Sequence, residues 1–131
     1  LVPVVENVDK KGLFELAEEV RDLAARARER KLTPAEMKGS TFSVTNFGAI
    51  GGEYATPIIN YPETAILGLG AIERRPVVRE GDDEDGSEVV PAPTLPLSLS
   101  IDHRVVDGAI AAEFANTVME HVENPLLLLN E

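Results

Sequence analysis

Ser98-Leu99-Ser100-Ile101-Asp102-His103-Arg104-Val105-Val106-Asp107-Gly108 is the stretch on which the fold of this chain turns. Leu95, Leu97, Leu99 and Ile101 alternate with Pro96, Ser98, Ser100 and Asp102, the period of a strand. After Asp107 and Gly108 the period changes, and Ile110, Ala111, Phe114, Ala115, Val118, Met119 and Val122 recur at helical spacing. A strand therefore runs into a helix through a histidine, an arginine and an aspartate. The chain has two histidines, and His103 is the one at this junction. Such a place holds a side chain rigidly at the edge of a cleft and suits acid–base chemistry. If the alternation continues, His103 joins the apolar row and points to the interior or a cleft. A histidine on such a row is by default a core residue with both nitrogens satisfied. Asp102, Arg104 and Asp107 around it, and a glycine that lets the backbone turn sharply, keep the acid–base reading open beside that one. Asp107 also reads as a helix cap.

Upstream, residues 64–72 form a near-continuous apolar run, Thr64-Ala65-Ile66-Leu67-Gly68-Leu69-Gly70-Ala71-Ile72, as expected of a strand buried on both faces. Its Gly68-Leu69-Gly70 is not a dinucleotide fingerprint, because Glu73 stands where the third glycine belongs and Arg74-Arg75-Pro76 follows instead of a helix. Thr41-Phe42-Ser43-Val44-Thr45-Asn46-Phe47 reads as another strand, with Thr41, Ser43, Thr45 and Phe47 on one face. The Thr45 hydroxyl, near the strand end, either enters a site or is satisfied by backbone. The glycines of Gly48-Ala49-Ile50-Gly51-Gly52 make a flexible loop, without the Lys-Ser/Thr of a phosphate loop. Residues 57–63, with two prolines, read as an extended connection.

At the start, Leu1-Val2-Pro3-Val4-Val5 is predicted to be a strand already under way, as in a piece cut from a longer polypeptide. Asp9 is the expected cap of an amphipathic helix over residues 11 to about 30, whose apolar stripe is Leu13, Leu16, Ala17, Val20, Leu23, Ala24 and Ala27. A short helix is expected at residues 34–37, announced by Thr33-Pro34 and Glu36. Residues 76–79 and 88–90 flank the acidic stretch 81–87, read as a hairpin tip; it lacks the ligand ladder of a calcium loop. Asn124-Pro125 ends the last helix, and the apolar residues 126–129 need a partner to cover them.

The length suits one domain with a core. With no cysteine, disulfides, zinc–thiolate sites and a thiol nucleophile are excluded. No Gly-x-Ser-x-Gly elbow or His-Glu-x-x-His occurs, which disfavours a serine hydrolase and a metal site. A net charge of −11 argues against nucleic-acid binding. No apolar run is long enough to span a membrane and no export leader is recognisable, so the cytoplasm is the expected location. Lysine supplies four of the twelve basic residues, and an acid-rich, lysine-poor surface is what a protein of a high-salt, halophilic cell carries. An ordinary acidic protein has the same composition.

Asp102-His103-Arg104-Val105-Val106-Asp107-Gly108 resembles the Asp-His-Arg-x-x-Asp-Gly signature of the dihydrolipoyl acyltransferases. These are the acyltransferase cores of 2-oxo acid dehydrogenase complexes, similar in fold to chloramphenicol acetyltransferase. The resemblance runs in order through Leu1-Val2-Pro3-Val4, Leu13-Phe14-Glu15-Leu16, Lys31-Leu32-Thr33-Pro34, the Thr41 to Gly48 stretch with Ile50-Gly51-Gly52, Pro62-Glu63-Thr64-Ala65-Ile66-Leu67-Gly68 and Glu123-Asn124-Pro125. It implies an α/β fold of the α+β two-layer sandwich kind, a mixed sheet packed by helices and incomplete at its N-terminus. Residues 1–131 would be the C-terminal portion of one catalytic domain.

The implied reaction is acyl transfer between dihydrolipoamide and coenzyme A, both substrates, with no metal. His103 matches the family's general base, Thr45 its oxyanion donor (commonly serine), and Asp107 the aspartate that in relatives pairs with an arginine expected upstream of Leu1. Asp102, Arg104, Asn46 and Gly108 match supporting positions. The resemblance further implies a homotrimer or a larger cubic or icosahedral core, with the dehydrogenase and dihydrolipoamide dehydrogenase components as partners. An inactive assembly module and a free-standing coenzyme A-dependent acetyltransferase are the competing readings, and a lipoyl domain upstream would separate a dihydrolipoyl acyltransferase from the free-standing enzyme.

Overall fold

A computed structural model describes residues 1–81 and 86–129. Asp82, Asp83, Glu84 and Asp85, the heart of the acidic tip, lie outside the described residues. The chain forms two compact units, one of Leu1–Phe42 with His103–Glu131, the other of Ser43–Asp102.

The first unit is helical. α1 spans Leu13–Arg28, and of its predicted stripe Leu16, Ala17, Leu23, Ala24 and Ala27 are the better covered, whereas Leu13 and Val20 stay exposed. Its cap is Gly12, not Asp9, which instead sits in a separate 3-10 turn at Val8–Lys10. That intervening turn displaces the helix start by one turn of chain, which composition around Asp9 does not reveal. At the other end Arg30 adopts a left-handed conformation (φ 57°). The Lys31 N–H bonds the Arg26 carbonyl at 2.9 Å and the Arg30 N–H bonds that of Ala27 at 3.1 Å, a Schellman-type stop. Residues 1–7 carry no strand, contrary to the sequence expectation. β-propensity alone makes no ladder, and the Val4 N–H bonds the Glu36 carbonyl in the short 3-10 turn Ala35–Met37.

That turn is tied to α1 by charge. Glu36 Oε2 accepts the Thr33 N–H and the Thr33 hydroxyl, each at 2.8 Å, and Glu36 Oε1 accepts from Arg26, which also bonds Asp22 at 2.7 Å. The Thr33 N–H, then Arg26, then the Thr33 hydroxyl stabilise the ionised carboxyl and draw its pKa from 4.5 down to about 2. Because the folded value lies below the unfolded one, Glu36 stabilises the fold fully above pH 4.5 and loses that contribution as pH falls towards 2. Glu36→Gln is expected to lower stability at pH 7 and to flatten its decline in that acid window, as read by urea denaturation at neutral and acid pH. An unchanged acid limb would remove this group from the account.

The second helix, α2, spans Gly108–Glu123, and the 3-10 turn Pro125–Leu129 follows it. Its apolar stripe is only partly covered: Ala111, Ala115 and Val118 are half-buried, while Ile110 and Val122 are more than half exposed. Phe114 packs against Phe42 with ring centroids 5.4 Å apart in a tilted arrangement.

The second unit carries the sheets. β1 (Ser43–Asn46), β2 (Ala65–Leu69) and β5 (Leu97–Ile101) form a three-stranded sheet in the order β1-β2-β5. β2 lies parallel to β1 and antiparallel to β5. Its unbroken apolar sequence takes the centre because both of its faces are covered, and Ile66 and Leu67 are buried. In β5 every residue is half-buried, so the leucine–serine alternation does not separate an inner from an outer face there. β3 (Glu73–Arg79) and β4 (Glu88–Thr94) pair antiparallel in register from Glu73 opposite Thr94 to Arg79 opposite Glu88, the hairpin predicted around the acidic tip. Two helices together with mixed sheets make an α+β fold, as expected. Among the described residues no helix is long and apolar enough to cross a membrane.

Candidate active site

The candidate residues fall in both units. His103, Arg104, Asp107 and Gly108 belong to the helical one, and Thr45, Asn46 and Asp102 to the sheet-bearing one. Each group is held by its own local structure.

Around His103 the ladder decides the geometry. Pairing of β5 with β2 ends with Ile101 opposite Ala65, and the Asp102 N–H still reaches the Thr64 carbonyl at 2.8 Å. There the strand stops, and His103, Arg104 and Val105 form a turn. His103 therefore does not extend the apolar row into the interior, as alternation predicts. It is exposed, and the core-histidine reading fails with the strand geometry on which it depended. An exposed imidazole at a rigid turn can take a proton from an approaching thiol, the task of a general base.

Asp107 secures the far side of that turn. Its backbone is extended (φ −87°, ψ 170°), and its Oδ1 accepts the Ile110 N–H at 2.9 Å, while its carbonyl accepts the Ala111 N–H at 3.1 Å. One of the unpaired donors of the first helical turn is thereby satisfied. Asp107→Ala is expected to lower stability by about 0.5–2 kcal/mol in urea denaturation of the full-length protein, and Asp107→Asn, which keeps the acceptor, by less. Equal losses for the two would show that capping is not what Asp107 contributes. Gly108 is the first residue of α2, outside the left-handed region, and a Cβ added there meets nothing within 4 Å. The turn does not need its glycine for steric reasons, contrary to the sequence reading.

Thr45 is half-buried near the end of β1, opposite Gly68 of β2, and lies between the exposed Val44 and Asn46 as the predicted alternation requires. The Asn46 Oδ1 accepts the Ala49 N–H at 3.3 Å and so holds the 3-10 turn Gly48–Ile50 against the strand end. The loop expected to be flexible is thus closely seated. A Cβ on Gly48 would stand 2.2 Å from the Gly70 carbonyl oxygen, and the Ala71 N–H bonds the Gly52 carbonyl at 2.8 Å. Arg75 Nη1 and Glu53 Oε1, 2.6 Å apart, pair the loop with β3 and hold the guanidinium pKa above its ordinary value. Thr45 thus sits on a braced strand end, with a hydroxyl that can donate to a developing oxyanion. Sequence reading passed over its neighbour Gly68 as part of a failed dinucleotide motif. A glycine inside a strand pattern, the sign of a close approach, was the signal.

Among the described residues no cluster of His, Cys, Asp or Glu is arranged to hold a metal ion.

Residues 1–130 match the family of the 2-oxoacid dehydrogenases acyltransferase, catalytic domain. The chain is 50% identical over 131 residues to the dihydrolipoyllysine-residue acetyltransferase component of the pyruvate dehydrogenase complex of Bacillus subtilis, covering all of the chain and 28% of that protein. It superimposes with a TM-score of 0.87 and 44% identity on the dihydrolipoamide acetyltransferase of Azotobacter vinelandii, covering 98% of this chain and 51% of that one. That structure comes from crystallographic and enzymatic work on the role of a serine, a histidine and an asparagine, the last four positions after the histidine, in the catalytic mechanism. The cubic core of a pyruvate dehydrogenase multienzyme complex matches with a TM-score of 0.87, 43% identity and 98% coverage of this chain against 51% of its own. The chain therefore spans about half the length of the solved chains and less than a third of the Bacillus protein.

Proposed function

Because the chain belongs to the family of 2-oxoacid dehydrogenase acyltransferases, matching their catalytic domain, we propose that the full-length protein passes an acetyl group between dihydrolipoamide and coenzyme A. The observation that carries this reading is the turn after β5. It displays His103 to solvent and places Asp107, as the cap of α2, four residues later. The Azotobacter acetyltransferase has its mechanistically studied histidine and asparagine at the same spacing. The acetyl group follows the relatives, which are acetyltransferase components of pyruvate dehydrogenase complexes.

The chemistry is exchange of one thioester for another. His103 takes the proton from the attacking thiol as its sulfur adds to the thioester carbonyl carbon, since a neutral thiol is a poor nucleophile. The carbonyl oxygen becomes an oxyanion, to which the Thr45 hydroxyl of a neighbouring subunit donates. Collapse restores the carbonyl, breaks the other carbon–sulfur bond, and returns the proton from His103 to the departing thiolate. Threonine keeps the serine hydroxyl and adds a methyl that restricts its rotamers. Asp107 keeps the turn and α2 in place, with Asp102, Arg104, Asn46 and Gly108 as supporting positions.

The protein works as a multimeric core, a trimer or a larger assembly, serving the dehydrogenase and dihydrolipoamide dehydrogenase components. The exposed apolar residues of α2 and of Pro125–Leu129 support burial in such an assembly. The acid-rich, lysine-poor composition supports work at high ionic strength. The test is to supply the full-length protein with dihydrolipoamide and acetyl-, succinyl- and isobutyryl-coenzyme A in turn. Transfer is expected with acetyl foremost; failure of all three would overturn the reading, and a succinyl or branched-chain preference would overturn its acetyl part.

A further inference from the structure

We propose that Gly68 and Phe47 are positioning residues that set the rotamer of Thr45, an inference that rests on the oxyanion role given to Thr45 above. The register puts Thr45, Gly68 and Ser98 in one row across β1, β2 and β5. Members of such a row project from the same face of the sheet, and neighbouring strands are about 4.8 Å apart. At one end of the row the Ser98 hydroxyl accepts the Ala55 N–H at 3.3 Å. At the other stands Thr45. The middle position has no side chain, and the space is filled from elsewhere: a Cβ on Gly68 would lie 2.6 Å from Phe47 Cε1 and 3.3 Å from Phe47 Cζ.

Phe47 reaches that place because the chain leaves the strand two residues after Thr45. Its N–H still bonds the Leu69 carbonyl at 3.1 Å, but its backbone has turned to φ −103°, ψ −4°. The ring thereby lies over the glycine, in the slot beside Thr45. A threonine hydroxyl donates well to an oxyanion in one rotamer only, and a β-branched side chain chooses among few. A rigid ring in the adjoining slot makes that choice. An alanine at position 68 would clash with the ring as it stands, so the ring must shift, and on this proposal the shift is felt by Thr45 in the adjoining place of the row.

The experiment measures kcat and KM of the full-length protein with acetyl-coenzyme A and dihydrolipoamide. Gly68→Ala is expected to lower kcat about a hundredfold, the size of effect that a misplacement of an ångström produces, with KM nearly unchanged. Adding Phe47→Leu, which makes room for the new methyl, is expected to recover at least about tenfold of the loss, and introducing Gly68→Ala into Thr45→Ala is expected to remove nothing further. A merely structural glycine would lose the same factor in both backgrounds. Wild-type kcat in Gly68→Ala, no recovery on adding Phe47→Leu, or a full loss in the Thr45→Ala background would each overturn the proposal. Should Gly68→Ala not fold, Phe47→Leu alone takes its place: a fall in kcat of about tenfold that vanishes in the Thr45→Ala background supports it, and an unchanged kcat overturns it. If Thr45→Ala itself keeps wild-type kcat, the oxyanion role fails. If Thr45→Ala is impaired and Gly68→Ala is not, only the positioning role does.

Discussion

Replacing His103 by alanine in the full-length protein is expected to lower kcat for acyl transfer by about a hundred- to ten-thousandfold. The magnitude follows from the base role proposed for the imidazole. Without it, the attacking thiol must shed its proton to water, and the departing thiolate must find one there. His103 is exposed on a turn and anchors no core. Its removal should therefore leave urea stability close to wild type, so the lost activity reports chemistry and not unfolding. His103→Gln, polar and of similar reach but unable to accept and return a proton at neutral pH, is expected to be as impaired as His103→Ala. The measurement is steady-state transfer from acetyl-coenzyme A to dihydrolipoamide, with denaturation run alongside. Near-normal turnover in either variant would end the assignment of His103 as base.

Thr45→Ala comes second, with an expected loss of about a hundred- to a thousandfold in kcat, or about 2.7–4 kcal/mol of transition-state stabilisation. A hydroxyl aimed where charge develops is worth most in the transition state, so kcat falls and KM moves little. Thr45→Val separates the hydroxyl from the shape: it keeps the branching and volume and should be as slow as Thr45→Ala. Thr45→Ser keeps the donor and loses the methyl, and is expected to remain within several-fold of wild type. Kinetics of the three variants at saturating acetyl-coenzyme A check this order. A valine variant faster than the serine variant would show that Thr45 contributes packing and no hydrogen bond.

Those two residues were legible in the sequence for different reasons. His103 stands out because it marks the change from period two to period 3.6, and because Asp102-His103-Arg104-x-x-Asp107-Gly108 is a dense family signature. Thr45 is one threonine in a strand-forming run, and only alignment with a known family raises it above its neighbours. Asp107 was readable twice over, as a signature residue and as a cap, and the structure shows the cap directly in its 2.9 Å bond from Ile110. What space each glycine needs was not readable. Gly108 lies where any residue fits, and Gly48 where only a glycine does, yet in sequence the two look alike.

The sequence by itself determined the elements whose physics is local. The apolar spacing places α2 almost to the residue and α1 to within about two residues at each end, since a helix closes its bonds within its own chain. The cap at Asp107, the alternation of β1 and the continuous apolar run of β2 are likewise set by side chains a few residues apart. Only the tertiary structure decided what depends on a partner far along the chain. Val4 pairs with Glu36 and not with a strand. The β5 ladder ends opposite Ala65, which turns His103 out of its predicted row. The register sets Thr45 against Gly68 and lets the Phe47 ring occupy the glycine's empty place. A ladder bond and a shared slot belong to two segments at once, and neither segment carries the information about the other.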